Sequence, residues 1–178
     1  SRTRGSIGRE LMNNILDYGY NGVVFPINPK ARVINSIKAY RSVLEVPDDI
    51  DLAIVVVPRP LVAQALIDCG RKDIKGIVII TAGFSETGHK KEEEEVLSIV
   101  KQYGMRMVGP NCMGIINTDP DYHLHATFAM THPKMGNVGF VSQSGALGVA
   151  ILDSAHTLNI GFSMFVSVGN KADISAND

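Results

Sequence analysis

The chain has 178 residues, of which 45% are hydrophobic and 20% are charged, a composition typical of a folded globular protein. Its formal net charge is −1, which argues against nucleic acid or a membrane surface as a partner, because both select for an excess of basic residues. The longest apolar runs, such as residues 54–57 and 76–80, are far too short to span a bilayer.

Nothing in the sequence points to an oxidising compartment. Residues 1–6 contain no apolar signal-peptide core. The two cysteines, Cys69 and Cys112, fit neither a disulfide framework nor a CxxC metal-binding pattern. We therefore expect a cytoplasmic protein.

Apolar runs typical of buried strands alternate with helical patterns, which predicts βαβ units and a parallel sheet. The first element is an amphipathic helix from Ile7 to about Leu16, and later helices follow Pro58 and an acidic run at 92–95. The predicted strands are residues 22–25, 52–57, 76–80 and 105–108. A helix that opens in this way normally follows a strand and a glycine-rich turn, and no strand precedes it here.

A second unit begins after an interruption. Residues 117–135 are rich in proline and histidine, which predicts a linker crossing the surface. A strand at 137–141, a helix and a strand at 161–168 then form one further βαβ unit. Because one such unit cannot cover both faces of its sheet, we predict a first domain at 1–116, a linker at 117–135 and a truncated second domain at 136–178. The truncated second unit would expose apolar sheet surface, so we expect either pairing with another chain, as in a homo-oligomer, or an unstable edge.

The N-terminal loop has the features of a phosphate site. Residues 2–8, at the start of the first helix, contain two arginines, two hydroxyl side chains and two glycines. Free backbone N–H groups at a helix N-terminus bind anions, and glycine allows the anion to approach closely. The full G-x-G-x-x-G fingerprint is absent, and an ordinary helix cap by Thr3 or Ser6 is the alternative.

The following strand end helps to choose among nucleotides. A dinucleotide fold that binds NAD places an acidic residue there to hold the ribose hydroxyls. This chain has Asn28, Pro29 and Lys30 instead. A lysine suits a ribose that carries a phosphate, as in coenzyme A or NADP, although a solvated surface lysine is the commoner case.

Six stretches together resemble the coenzyme A-binding region of the NDP-forming acyl-CoA synthetases, a family that includes ADP-forming acetate–CoA ligases and, more distantly, the α-subunit of succinyl-CoA synthetase. They occur in the family's order and cover nearly the whole chain. These stretches are GSIGREL at 5–11, VFPINPK at 24–30, DLAIVVVP at 51–58, ITAGFSE at 80–86, GPNCMGI at 109–115 and GFVSQSGA at 139–146. The resemblance implies an α/β fold, in which a Rossmann-like parallel-sheet CoA-binding domain precedes the first part of a flavodoxin-like domain.

The resemblance also implies which residues bind coenzyme A or acyl-CoA. The first loop would hold the pyrophosphate, and Pro29 and Lys30 would lie by the adenosine and its 3′-phosphate. The next strand end would line the adenine and pantetheine path, and later strand ends would follow the pantetheine arm to the thiol. The implied residues, in chain order, are Thr3, Gly5, Ser6, Ile7, Gly8, Pro29, Lys30, Val57, Pro58, Arg59, Gly83, Phe84, Glu86, Asn111, Cys112 and Met113. All of them fall at predicted strand ends or at the first loop, where open α/β sheets bind ligands.

The turn at Ser142, Gln143, Ser144 and Gly145 is a second predicted anion site, because it lies between a strand and a helix. In the family this helix start resembles the one that cradles a phosphorylated histidine, and a plain N-cap is the alternative. The resemblance implies a reaction that passes a phosphoryl group through that histidine to ADP in an ATP-grasp region or subunit, which would supply ADP or ATP and magnesium. None of the five histidines here lies in the family's phosphohistidine context, so we expect no catalytic residue in this chain.

Other interpretations of the chain remain open. It could be the acyl-CoA-sensing region of a protein lysine acetyltransferase, or part of an NADP-dependent reductase. The pair His123 and His125 offers too few ligands for a structural zinc site. Cys112 has no identifiable partner base, which favours a small, partly buried cysteine over a nucleophile.

Overall fold

The computed structural model describes residues 5–178 and contains two main sheets. The α-helices are α1 (Ile7–Asp17), α2 (Val62–Arg71), α3 (Lys90–Gln102) and α4 (Gly145–Thr157). The strands are β1 (Val33–Ile34), β2 (Ile37–Lys38), β3 (Leu52–Val55), β4 (Gly76–Ile79), β5 (Arg106–Val108), β6 (Gly114–Asn117), β7 (Leu124–Thr127), β8 (Met135–Ser142) and β9 (Phe162–Ser167). Strands β1 and β2 pair only with each other, as a small antiparallel hairpin.

The first sheet is parallel, in the order β3-β4-β5. Side chains of β4 alternate between its two faces, so Ile77 and Ile79 pack with the buried stripes of α2 and α3. Val78 and Ile80 point to the opposite face, where they pack with α1 and with Ala126 of β7. The sheet is therefore covered on both faces, as parallel sheets require.

The second sheet has the order β7-β6-β9-β8, with β8 and β9 parallel and β6 antiparallel to both of its neighbours. Its core packs against α4 through Leu152 and Ala155, which meet Phe162 and Phe165 of β9. Helix α1 packs against β7, so the first helix of the chain contacts the second sheet.

Two predictions about local structure are wrong. Residues 22–25 form no strand, and the nearest β-type pairing is the single bridge between Ile27 and Tyr40. Within the described residues the parallel sheet ends at β3, so no neighbouring strand is present to complete a ladder with this apolar run.

Residues 117–135 are not an irregular surface linker throughout. They contain β7, in which His125, Ala126 and Thr127 are fully buried. The prolines and histidines lie mostly around this strand, and the β6–β7 hairpin supplies backbone pairing that the composition of the segment did not reveal. The domain limits at 116 and 135 remain predictions.

The segment after β9 returns to the first sheet. Ala172 N donates to Gly109 O at 3.2 Å and Ile174 N donates to Met107 O at 3.1 Å, so residues 172–174 run antiparallel along β5. Asp173 accepts from Met107 N at 2.7 Å and from Arg106 Nε at 3.1 Å. This return covers the β5 edge of the parallel sheet.

Candidate functional site

The loops at the carboxyl ends of β3, β4 and β5 are tied together by hydrogen bonds. Thr81 Oγ1 donates to Val57 O at 2.7 Å, which joins the loops after β4 and β3. Asn111 N donates to Thr81 O at 3.0 Å, which joins the loop after β5. The predicted site residues of these three loops are thus brought to one edge of the sheet, the edge at which open α/β sheets bind ligands.

The loop after β4 is built around Glu86. The Glu86 carboxylate accepts from Gly83 N at 2.5 Å and from Phe84 N at 3.1 Å, and Asn170 Nδ2 donates to it at 2.6 Å. Burial by itself would raise the pKa of Glu86, but the hydrogen bonds from Asn170 and from the backbone outweigh it and hold this pKa below its usual value. The group is therefore an anion at neutral pH, and its negative charge is already engaged in holding the turn.

The side chains predicted along the pantetheine path have different environments. Arg59 lies beside Gly83, since a Cβ on that glycine would be 3.4 Å from Arg59 Cδ. Its Nη1 is 2.7 Å from Glu92 Oε1, in ion-pair contact but without hydrogen-bond alignment. Pro58 is exposed and Val57 half-buried. Phe84 is only 1% exposed, and its side chain anchors the loop by packing in the core beneath the loop backbone.

In the loop after β5, only Asn111 is partly accessible. Its φ of 55° lies in the left-handed region, which asparagine tolerates better than most residues, and it follows a cis peptide between Gly109 and Pro110. Cys112 is buried and donates from Sγ to Ile79 O at 3.2 Å. Burial raises the pKa of the Cys112 thiol to about 12, which keeps it protonated and agrees with a structural cysteine rather than a nucleophile. Met113 is also buried, and its N–H donates to Ser167 Oγ at 2.9 Å.

A basic cavity of about 510 Å³ lies beside the predicted Pro29 and Lys30. Asn28 Oδ1 shapes the turn by accepting from Lys30 N at 2.9 Å and from Ala31 N at 3.1 Å. The cavity is lined by four cationic side chains and one carboxylate, with small residues between them. These residues are Pro29, Lys30, Ala31, Arg32, Lys38, Ala39, Arg41 and Glu45.

Arg32, Lys38 and Arg41 were not predicted from the sequence. The signal was present, because residues 28–44 contain four basic residues and no acidic one. What the sequence did not show is the β1–β2 hairpin, which folds Lys38 and Arg41 back towards Lys30. One carboxylate, Glu45, lines the same cavity and accepts from Arg41 N at 3.1 Å. The excess of positive charge makes this the part of the described chain best suited to a phosphate ester.

The predicted pyrophosphate loop is described only in part. Thr3 lies outside the described residues, Gly5 and Ser6 precede α1, and Ile7 and Gly8 are its first two residues. Ser6 occupies the N-cap position with φ −80° and ψ 139°, and its side chain makes no capping hydrogen bond to the helix. Of the two alternative caps for this loop, the one by the Ser6 side chain is not formed, and the one by Thr3 lies outside the described residues.

In the turn before α4, by contrast, a serine side chain does cap the helix. Ser144 is the N-cap residue, and its Oγ accepts from Leu147 N at 3.2 Å. Ser142 Oγ donates to Ser144 O at 2.9 Å, Gln143 is exposed, and Gly145 is the first residue of α4. Both hydroxyls thus already have partners in the turn or in the first turn of α4, and a phosphate role for this turn remains a prediction.

The histidines form no metal site. Within residues 5–178 no group of three or more His, Cys, Asp or Glu side chains is placed to hold a metal ion. His125 is fully buried, its Nε2 lies 3.2 Å from Thr127 Oγ1, and its Nδ1 has no hydrogen-bond partner. The rings of Tyr18 and His132 pack against it, at centroid distances of 5.4 and 4.9 Å. Burial, and then the neighbouring His132, lower the pKa of His125 to about 4.

No helix in the described part of the chain combines the length and the apolar character that crossing a membrane requires.

The fold is that of an open α/β protein with a parallel sheet, and comparison with known families gives its class as a coenzyme A-binding protein. The CoA binding domain family matches residues 1–118, and the succinyl-CoA ligase-like flavodoxin domain matches residues 135–178. The chain belongs to the CoA binding domain family. The predicted fold class, a Rossmann-like CoA-binding domain followed by part of a flavodoxin-like domain, is confirmed.

The most similar relatives include ADP-forming ligases from archaea. The acetate–CoA ligase [ADP-forming] of Methanocaldococcus jannaschii is 53% identical over 178 residues, which is all of this chain and 25% of that protein. The acetate–CoA ligase [ADP-forming] II subunit alpha of Pyrococcus furiosus is 51% identical over 97% of this chain and 37% of that subunit. The predicted resemblance to this family is therefore confirmed, and the chain spans only about a quarter to two fifths of these relatives.

A solved structure gives the same result. The dinucleotide-forming acetyl-coenzyme A synthetase 1 of Ca. Korarchaeum cryptofilum, in complex with phosphate and ADP, superposes with a TM-score of 0.95 at 43% identity. The match covers 99% of this chain and 38% of that one.

Proposed function

We propose that this chain forms the coenzyme A-binding part of an ADP-forming acyl-CoA synthetase, in which acyl-CoA, ADP and phosphate are converted to the acid, coenzyme A and ATP. The basic cavity would take the 3′-phosphate of the ribose. The loops at the carboxyl ends of β3, β4 and β5 would follow the pantetheine arm, with Asn111 near the thiol. The relatives named above, which are ligases of this type, support the choice of reaction.

The basic cavity is the observation that carries the proposal. A 3′-phosphomonoester has close to two negative charges at neutral pH, and the four cations of this cavity supply the complementary charge. NAD has no phosphate on its ribose and would leave these cations without a partner. The charge therefore favours coenzyme A, or another ribose phosphate, over NAD.

The remaining chemistry belongs to parts of the protein beyond this chain. The phosphohistidine, the ATP-grasp region or subunit, and the nucleotide and magnesium that it binds would come from there. The turn at Ser142, Gln143, Ser144 and Gly145 would face the phosphorylated histidine, because its backbone N–H groups lie at the start of α4. We place such an enzyme in the cytoplasm. In this proposal the chain binds acyl-CoA but does not complete a turnover.

Calorimetric titration of the chain with coenzyme A and with dephospho-coenzyme A tests the proposal. We expect coenzyme A to bind more tightly, by about tenfold, because only it places a phosphate in the basic cavity. The variant Lys30→Gln should lose most of this difference by weakening coenzyme A alone. The variant Lys101→Gln, which changes an exposed lysine of α3 away from the cavity, should behave as the unchanged chain.

Equal affinity for the two ligands would contradict the assignment of the cavity. Absence of coenzyme A binding by the unchanged chain would contradict the proposed function. Tighter binding of NADPH than of coenzyme A would favour an NADP-dependent reductase instead.

A further inference from the structure

The segment that follows β9 brings one more side chain to the ligand edge. Gly169 allows the close approach, since a Cβ at this position would lie 2.3 Å from Pro110 O. Asn170 N then donates to Pro110 O at 2.9 Å. The backbone of Asn170 is thereby fixed against the loop after β5, although the strand it follows, β9, belongs to the second sheet.

The Asn170 side chain joins two loops of the proposed coenzyme A site. Its Nδ2 lies 2.6 Å from Glu86 Oε2 and 2.7 Å from Glu93 Oε2, and 3.2 Å from Ser85 Oγ. Its Oδ1 accepts from Asn111 Nδ2 at 3.2 Å. One amide thus contacts the turn after β4, the first part of α3 and the loop after β5.

An amide is suited to this position because of its charge and its two different ends. The NH₂ group has two hydrogens to offer to the carboxylates of Glu86 and Glu93, while the carbonyl oxygen accepts from Asn111. An aspartate of the same shape could accept from Asn111 but would place a third carboxylate against the other two. A shorter or apolar side chain would leave the two carboxylates close together without a shared donor.

We propose that Asn170 is a positioning residue for the pantetheine and thiol end of the coenzyme A site. It holds the Glu86 turn and the Asn111 side chain in one arrangement, and in this way couples the second sheet to the ligand edge of the first. None of its side-chain hydrogen bonds in the described residues goes to the basic cavity or to the loop before α1. The inference rests on the proposed function, since it assigns a role within that same site.

The test compares two ligands that share the nucleotide end. Adenosine 3′,5′-bisphosphate has the ribose 3′-phosphate but lacks the pantetheine arm that coenzyme A carries. For Asn170→Asp we expect coenzyme A to bind about tenfold more weakly while the affinity for adenosine 3′,5′-bisphosphate is unchanged. Adding Glu93→Gln should recover part of the loss, because Gln can donate to the new carboxylate. Asn170→Ser should weaken coenzyme A in the same selective way, without a new charge.

A general structural role would give a different result. Equal weakening of both ligands would show that Asn170 supports the whole fold, and an unchanged coenzyme A affinity would show that it positions nothing; either overturns the proposal. Asn177→Ala, an exposed change in the same C-terminal segment, should leave both affinities as they are. If the unchanged chain binds neither ligand, the proposed function itself fails. If the unchanged chain binds both ligands but the variants lose no selective affinity for coenzyme A, only the role of Asn170 fails.

Discussion

Gly169 is a residue whose identity is dictated by its surroundings. Its φ is +54°, and a Cβ would lie within 2.3–2.7 Å of backbone atoms of Pro110 and Asn111. Both the left-handed conformation and the lack of space exclude other residues. The sequence shows only a glycine after a strand, and the contact it permits involves a loop about 60 residues earlier in the chain.

The variant Gly169→Ala should lower the free energy of unfolding measured in urea. The conformational part alone costs about 1–2 kcal/mol, because an L-residue is strained in the left-handed region. The collision with the loop after β5 should add about 1–3 kcal/mol, as overpacking does elsewhere. Gly104→Ala is the matched control, since Gly104 has a φ of +64° and no atom within 4 Å of its Cβ position. Equal losses for the two variants would contradict the close contact.

His125 should make stability depend on pH. Its pKa is about 4 in the folded chain against a usual value of 6.5, so the unfolded state binds more protons below about pH 6.5. The stabilisation is therefore complete above that pH and is lost as the pH falls towards 4. Between about pH 7 and pH 5 the loss should be about 2 kcal/mol.

Urea unfolding at both pH values measures this loss, and the variants separate His125 from other groups. His125→Asn should have a smaller pH dependence than the unchanged chain. His156→Gln, which alters an exposed histidine of α4, should retain the full dependence. Carboxylates with lowered pKa, such as Glu86, act in the same direction in all three proteins and cancel in the comparison. A full dependence in His125→Asn would show that another group is responsible.

Helix α1 packs on the first sheet, but contacts with the second sheet help to fix its position. Its apolar face, with Leu11 and Ile15, packs on the first sheet together with Ala126 of β7. Asn14 Nδ2 donates to Thr127 O at 2.8 Å and to Ala129 O at 2.7 Å. The helix that leads out of the predicted pyrophosphate loop is thus attached to both sheets.

Asn14→Ala should therefore destabilise the chain by about 1–3 kcal/mol, because two backbone carbonyls lose their donor. Asn13→Ala is the matched control, because the hydrogen bond that the Asn13 side chain makes with Asn35 is exposed. This variant should change the free energy of unfolding by less than about 0.5 kcal/mol. Urea unfolding of the two variants measures the difference. Similar small effects of both changes would show that Asn14 does not anchor the helix.

Elements with strong periodicity could be predicted from the sequence, whereas elements that depend on distant pairing could not. The apolar runs of β3 and β4 and the amphipathic stripe of α2 give their type directly. Strand β7 could not be predicted in this way, because its four residues include a histidine and a threonine. Only the pairing with β6 makes these residues a strand. The run at 22–25 shows the converse, since apolar residues favour a strand but cannot form one without a neighbour.

The candidate site, too, could be predicted from the sequence only in part. The loops after β3, β4 and β5 could be located because parallel strands place their carboxyl ends together. Arg32, Lys38 and Arg41 required the hairpin that brings them to Lys30. Asn170 could not be found, because nothing near it in the sequence shows that Glu86 and Asn111 lie beside it.

At the scale of the molecule, the two sheets are joined by contacts that cross in both directions. Helix α1, from the start of the chain, packs on β7 of the second sheet. Residues 172–174, from its end, lie along β5 of the first sheet. Neither sheet is therefore complete without a segment that belongs to the other half of the sequence.

The two halves should unfold together in one transition. Hydrogen exchange measured by mass spectrometry in increasing urea should show amides of β4 and β9 losing protection with the same dependence on urea, because each strand relies on the shared contacts. Asp173→Ala removes the acceptor for Met107 N and should lower the stability reported by both strands. Loss of protection in β9 at a clearly lower urea concentration than in β4 would show two independent units.

The attachment of α1 to β7 also imposes an order on synthesis. Asn14 and the carbonyl of Thr127 that it meets are separated by 113 residues. At about 5–20 residues per second, a ribosome needs about 6 to 23 seconds to make that interval. Until then the helix has been made, but the surface that fixes it has not. A nascent chain would therefore carry its proposed pyrophosphate loop unanchored, and its capacity to hold the nucleotide should arise only late in translation.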